Sequence, residues 1–239
     1  LGRGTGWYTG IVHNRFKFKD IGNSKEEQLQ AKVGLFKSVP LDDNNSLNWT
    51  ISGDIFAGYN KLERKFLVVD EIFHAKSKYY TYGIGVKNEI GKEFRLSEAF
   101  SVRPYAALKA EYGRVSKIKE KSGEMKLEVK ENDYLSIRPE IGTELAYKHY
   151  FGTKSLTTSV GVAYENELGR VANGKNKARV AGTTADWFNI RGEKEDRKGN
   201  VKVDLNVGLD NQRFGVTGNV GYDTKGSNVR GGVGLRVIF

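Results

Sequence analysis

Cysteine is absent from the 239-residue chain and proline occurs only 3 times. The first absence removes disulfides, thiol catalysis and thiolate metal ligation. No apolar run reaches the roughly 18 residues that a membrane-spanning helix needs, and the mean hydropathy of −0.54 argues against a helical membrane protein. Leu1 to Gly10 contains no basic segment followed by an apolar stretch, so a secretory signal is not part of this sequence. If the protein is exported, its signal lies upstream and the chain is a piece of something longer. No fixed-period repeat and no low-complexity linker is found. Neither G-x-S-x-G nor G-x-x-x-x-G-K-[ST] occurs. The Gly-rich Gly231 to Gly234 leads into no helix, so it is no phosphate cradle.

Glycine (29), tyrosine (12) and phenylalanine (12) are plentiful. The formal charge is +10, but Lys and Arg are dispersed over loops and strand faces. A nucleic-acid-binding stripe is a poorer account than attraction to an anionic membrane leaflet or a positive lumen.

The last twelve residues, NVRGGVGLRVIF, are the most telling. Val233, Leu235, Val237 and Phe239 fall on one face of a strand. Arg230, Gly232, Gly234 and Arg236 fall on the other, with Ile238 as an apolar exception. The same alternation recurs upstream. Val201, Val203, Leu205, Val207 and Leu209 oppose Lys202, Asp204, Asn206, Gly208 and Asp210. Phe214, Val216, Val220 and Tyr222 oppose Arg213, Thr217, Asn219 and Asp223, and Asn211-Gln212 joins the two segments as a tight hairpin. Similar alternation marks Ser155 to Glu165, Ile137 to Lys148, Val102 to Tyr112, Tyr80 to Lys87, Trp49 to Asn60 and Leu29 to Leu35, with weaker segments at Trp7 to Phe18 and Ala185 to Gly192.

Several strands exceed ten residues, against a mean of about 5–6 in soluble proteins. Long strands with one apolar face would aggregate in water and need a thick apolar surrounding. The expectation is an all-β, transmembrane antiparallel β-barrel. Barrels of this kind have an even strand number; eleven strands can be defended, so about 12 are expected. The missing one would precede Leu1 or lie in Glu124 to Glu131. The turns Leu41 to Leu47, Phe151 to Ser155 and Asp210 to Arg213 are short. Lys61 to Lys78, Val115 to Asp133 and Gly169 to Thr184 read as long polar loops. Short periplasmic turns and long, charged extracellular loops are the matching asymmetry.

Trp7, Trp49, Tyr59, Tyr112, Tyr147, Tyr150, Phe151, Tyr164 and Tyr222 suit interfacial aromatic belts. The histidines carry little chemistry: His149 is a girdle residue, His74 a solvated loop residue, and His13 a lumen hydrogen-bonding group. No two have metal-ligand spacing, so no catalytic, metal or cofactor site is expected. Charged positions opposite the apolar faces should line the lumen: Arg103, Lys109, Glu111, Arg138, Glu140, Glu144, Lys148, Asp204, Arg230 and Arg236. They would cross-brace a hydrated barrel, keep a pore in which an extended chain can slide, or both.

Three features resemble the barrels of classical monomeric autotransporters: Phe188-Asn189-Ile190-Arg191-Gly192, then Gly208-Leu209, then Gly234-Leu235-Arg236-Val237-Ile238-Phe239. Arg103-Pro104-Tyr105 resembles their mid-barrel strand. Gly6 to Asp20 and Arg64 to Gly83 are similar to the Lys-rich barrels of fusobacterial adhesin autotransporters. The resemblance covers most of the chain and implies one translocator domain over residues 1–239 in the bacterial outer membrane. By that resemblance it is a monomeric, non-enzymatic barrel of twelve strands that exports and anchors an N-terminal passenger, an adhesin. A linker helix would thread the lumen ahead of Gly6, outside this sequence. The terminal strand, with Val233, Leu235, Val237 and Phe239, would be read by the barrel-assembly machinery through strand addition, and the outer face would meet membrane lipid and lipopolysaccharide. The competing readings are an outer-membrane phospholipase or protease, resting on His74 or His149, and a general porin constricted by Lys61 to Lys78, although Phe66-Leu67-Val68-Val69 in that segment equally suits a hairpin extended above the membrane.

Overall fold

The computed structural model describes residues 4–18, 22–68, 70–123, 125–168, 170–171, 176–184, 186–190 and 199–239. In chain order the first strands are β1 (Thr5–Lys17), β2 (Lys25–Pro40), β3 (Leu47–Val68), β4 (Glu71–Lys92), β5 (Phe94–Arg95) and β6 (Phe100–Val115). Next come β7 (Ile118–Ser122), β8 (Leu127–Val129), β9 (Asn132–Phe151), β10 (Lys154–Glu165), β11 (Arg170–Val171) and β12 (Asn176–Val180). The last are β13 (Phe188–Ile190), β14 (Asn200–Asp210), β15 (Phe214–Asp223) and β16 (Asn228–Ile238).

Ten of these strands, β1, β2, β3, β4, β6, β9, β10, β14, β15 and β16, pair antiparallel with their ring neighbours. The ring closes where Gly6 lies opposite Ile238 and Arg15 opposite Val229. Closure removes every edge in the wall, and only a closed barrel or a helix can satisfy the backbone inside a bilayer.

Among the described residues the ring has ten strands, not the expected twelve or so. Two expected wall strands lie elsewhere. Within Glu124 to Glu131 only β8 is extended, and it pairs β7 and β12 outside the ring; Glu124 itself is outside the described residues. Of Ala185 to Gly192, Phe188–Ile190 forms β13, which pairs β12; Ala185, Arg191 and Gly192 are outside the described residues. Lys61 to Lys78 is not a loop: β3 and β4 ladder without interruption from Leu47↔Lys92 to Val68↔Glu71. The hairpin keeps pairing above the wall.

The short turns 41–46, 152–153 and 211–213 lie at the rim shared by the start of β1 and the end of β16. Leu41 to Leu47 closes through Asp42, whose Oδ1 accepts from the amides of Ser46 (2.8 Å) and Leu47 (3.0 Å). The β3–β4 hairpin, β7, β8, β12 and β13 rise from the other rim.

Side chains alternate strictly along the wall. Ile55, Ile84, Ile141 and Val233 are more than half exposed to the outside, whereas Asn60, Glu140 and Asn228 of the opposite face are buried inside the ring. On β4, the outward positions from Tyr80 to Ile90 are largely apolar. Those ten residue steps measure about 34 Å along the strand. At a tilt of about 40° they span roughly 26 Å of height, the thickness of the apolar band of an outer-membrane barrel. Aromatics mark both borders: Tyr59 faces Tyr80 with ring centroids 5.5 Å apart, and Phe100 faces Tyr147 at 4.9 Å near the turn rim. Such rings place an apolar body in lipid and a polar tip in headgroups.

Candidate functional site

The inner face is a lattice of charged and hydrogen-bonding side chains. Its centre lies on β6, β9, β10 and β14. Lys109 Nζ is 2.7 Å from Glu140 Oε2 and 3.3 Å from Glu165 Oε2. Lys202 Nζ is 3.0 Å from Glu140 Oε2 and 3.7 Å from Glu165 Oε2. Tyr105 Oη donates to Glu140 Oε1 at 2.8 Å. Two ammoniums and two carboxylates from four adjacent strands therefore neutralise one another in a water-poor site, where an unpaired charge would be costly.

A second set spans the closing seam. Arg230 Nε donates to Asp223 Oδ2 at 2.7 Å, and its Nη2 lies 2.8 Å from Asp204 Oδ1. Asn228 Nδ2 donates to Asp223 (2.9 Å) and to Asn14 Oδ1 (3.0 Å), and Asn14 donates to Gln28 at 3.1 Å. Arg15 N donates to Asn228 Oδ1 at 3.0 Å. These bonds stitch β14, β15, β16, β1 and β2 from inside. Glycine makes the crossings possible. Gly34 lies between Tyr8 and Asp54 in the ladder, and Tyr8 Oη reaches over it to Asp54 Oδ2 at 2.6 Å. A Cβ on Gly34 would come within 2.6 Å of the Tyr8 ring. Gly221 serves Arg230 in the same way, since its Cβ would meet Asp204 Oδ1 at 2.3 Å.

Arg103 and Lys87 both bind Glu89, and Arg103 lies 3.9 Å from Glu144. Glu111 accepts from Tyr134 Oη (2.6 Å) and Arg138 (3.3 Å). Lys148 and Arg236 share the inner parity but sit by the turn rim: Lys148 Nζ is 5.4 Å from the Tyr150 ring centroid, and Arg236 is half-exposed, 3.6 Å from Asp210. Lys202, Glu165, Glu89, Asp223 and Asn14 complete the lattice without having been singled out. The alternation that marks Asp204 as inward marks Lys202 equally, so the signal was present in the polar parity.

His13 points outward, on the same parity as Ile11, and not into the lumen. Ile11 and Val12 are both apolar, so the phase of β1 is ambiguous until pairing with β16 settles it. His149 is exposed on the outer face beside Phe151, with ring centroids 6.1 Å apart. His74 Nδ1 lies 3.3 Å from Glu63 Oε1 on the far hairpin. Among the described residues no group of three His, Cys, Asp or Glu is arranged to hold a metal.

Above the far rim, Glu128 holds a small platform together. It binds Lys117, and Arg179 Nε donates to its Oε2 at 2.9 Å. These cations, Lys117 first, hold its carboxyl down at about 2. Trp187 is flanked by Arg179 and Lys130, each 4.6 Å from its ring centroid.

The family described as autotransporter beta-domain matches residues 4–221. The chain belongs to this family. It is an outer-membrane translocator domain of bacteria. Solved structures agree in fold. The translocator domain of autotransporter NalP from Neisseria meningitidis has a TM-score of 0.51 at 12% identity, over 100% of this chain and 90% of that one. The beta domain of the Bordetella autotransporter BrkA scores 0.54 at 9% identity, over 99% of this chain and 100% of that one. The transport unit of AIDA-I from Escherichia coli scores 0.51 at 10% identity, over 100% and 91%. No curated protein sequence matches the chain. The apolar band, the aromatic borders and the polar lumen of this translocator domain are what an outer-membrane address demands.

Proposed function

We propose that residues 1–239 act as one monomeric translocator domain that carries a passenger attached ahead of Leu1 from the turn rim to the far rim and anchors it there. The observation that carries this reading is the inner lattice of a closed barrel whose outer band is about as thick as a bilayer core. A lumen walled by Glu140, Lys109, Lys202, Arg230 and Asp204 offers a moving polypeptide exchangeable polar contacts and no apolar wall on which to stick. The lumen-facing set Arg103, Lys109, Glu111, Arg138, Glu140, Glu144, Lys148, Asp204, Arg230 and Arg236 would serve both bracing and passage. The barrel does no chemistry on the passenger in this reading, and a linker helix would occupy the lumen after export. The likeness of Gly6 to Asp20 and Arg64 to Gly83 to fusobacterial adhesin barrels supports an adhesin as passenger.

Val233, Leu235 and Phe239 project outward from the closing strand and are exposed; with Val237 they form the signal for the assembly machinery, which would pair with β16 before β1 does.

The test is surface display. A signal peptide, an epitope tag and a helical linker are fused ahead of Leu1 and expressed in a Gram-negative host. Added protease should remove the tag from intact cells while the barrel stays in the outer membrane. A correctly inserted barrel whose tag remains protected would overturn the reading.

A further inference from the structure

Just above the far aromatic border, the outer face carries an excess of cations. In the ladder Lys61 lies directly opposite Lys78, and Lys78 directly opposite Lys119. All three are exposed on the outward face. Lys76, on the same parity two residues from Lys78, is exposed beside them. Like charges directly opposite on one face repel, their Cβ atoms being only about 5 Å apart. Among the described residues no carboxylate lies within 4.0 Å of Lys61, Lys76 or Lys78, while Lys119 reaches only the already neutralised Glu128, at 3.8 Å. Of the nearby carboxylates, Glu27 lies directly opposite Lys61 but is 3.7 Å from Arg15, and Glu63, opposite Lys76, is 3.3 Å from His74, so neither comes within 4.0 Å of Lys61, Lys76 or Lys78. One rung nearer the membrane centre are Tyr59 and Tyr80, and Lys61 Nζ stands 5.7 Å from the Tyr59 ring centroid. The cations thus sit at headgroup depth, directly above rings that mark the lipid border.

An excess of positive charge, held in register on a rigid ladder at that depth, favours a counter-charge supplied from outside. We propose that Lys61, Lys76, Lys78 and Lys119 form a binding site on the outer wall for the phosphate groups of an anionic glycolipid of the outer leaflet. The lipid's acyl chains would lie along Ile55, Tyr82 and Ile84 below. The proposal rests on the outer-membrane reading, with the far rim facing outward. A lipid, not a free phosphate, is the occupant because the cations border the apolar band.

The test uses the whole chain, refolded in detergent, with bis-phosphorylated lipid A as probe and native mass spectrometry as readout. Its dephosphorylated form and inorganic diphosphate are the comparison ligands. The parent should retain lipid A at least tenfold more tightly than the dephosphorylated form. Lys61→Gln/Lys78→Gln/Lys119→Gln should abolish that preference, whereas Lys92→Gln, outward on the opposite rim, should keep it. Heat-modifiable gel mobility checks that each variant is folded. Unchanged preference in the triple variant would overturn the site, and equal binding of diphosphate and lipid A would overturn the lipid assignment. Binding in detergent does not depend on export, so a failure here and a failure of surface display are separate results.

Discussion

Replacing Glu140 by glutamine removes one negative charge from the middle of the lumen lattice. Its side chain is 4% exposed, and it stands 2.7 Å from Lys109 and 3.0 Å from Lys202. After the change, Glu165 alone faces both ammoniums, at 3.3 and 3.7 Å. Removing one partner of a buried pair costs about 3–5 kcal/mol. The lysines keep some water, being 21% and 14% exposed, so the expectation is the lower end, about 3 kcal/mol. That corresponds to a roughly 150-fold shift in the folding equilibrium. The assay is urea unfolding of the barrel in lipid vesicles, followed by tryptophan emission, where the midpoint should fall by about 1 M or more. Glu144→Gln is the internal comparison. Its side chain is 39% exposed and its contact with Arg103 is 3.9 Å long, so the loss should stay below about 1 kcal/mol. Adding Lys109→Met to Glu140→Gln should recover part of the stability, since Lys202 then has Glu165 to itself. If Glu140→Gln unfolds within about 0.5 kcal/mol of the parent, lumen water solvates the lysines and the lattice does not brace the barrel.

Gly34→Ala should destabilise the barrel by about 1–3 kcal/mol, because the methyl must displace the Tyr8 ring or the backbone oxygen of Gly53, 2.5 Å away; Gly218→Ala, with nothing within 4 Å, should be close to neutral in the same unfolding assay. Glu128 has a carboxyl pKa held below its unfolded value, so its contribution is complete above about pH 4.5 and is lost as pH falls toward about 2. In a Trp7→Phe/Trp49→Phe background, Trp187 emission should therefore shift to the red over that window, and an unchanged spectrum would refute the role of Glu128 in the platform. Phe239→Ala should slow outer-membrane assembly severalfold in cells while leaving refolding in detergent nearly unchanged; equal slowing in both would make Phe239 a packing residue and not a signal.

Alternation alone was enough to read ten wall strands as strands, because a period of two is local and each segment carries it. It also set the faces: Val233, Leu235 and Phe239 outward, Glu140 and Arg230 inward. Where both parities are apolar, as at Ile11 and Val12, the pattern leaves the phase open, and His13 faces outward against the expectation of a lumen position. The closed count of ten was beyond local reading, since Leu127–Val129 and Phe188–Ile190 alternate like wall strands yet find partners above the rim. Which charges meet was equally hidden. Lys109, Glu140, Glu165 and Lys202 lie on four strands up to 93 residues apart, and only register and closure bring them together. The sequence by itself determined that this chain has one face for lipid and one for water. The tertiary structure decided how many strands close the ring, which glycines let side chains cross it, and which cations gather on one stretch of the outer wall, because all three depend on pairings between distant segments.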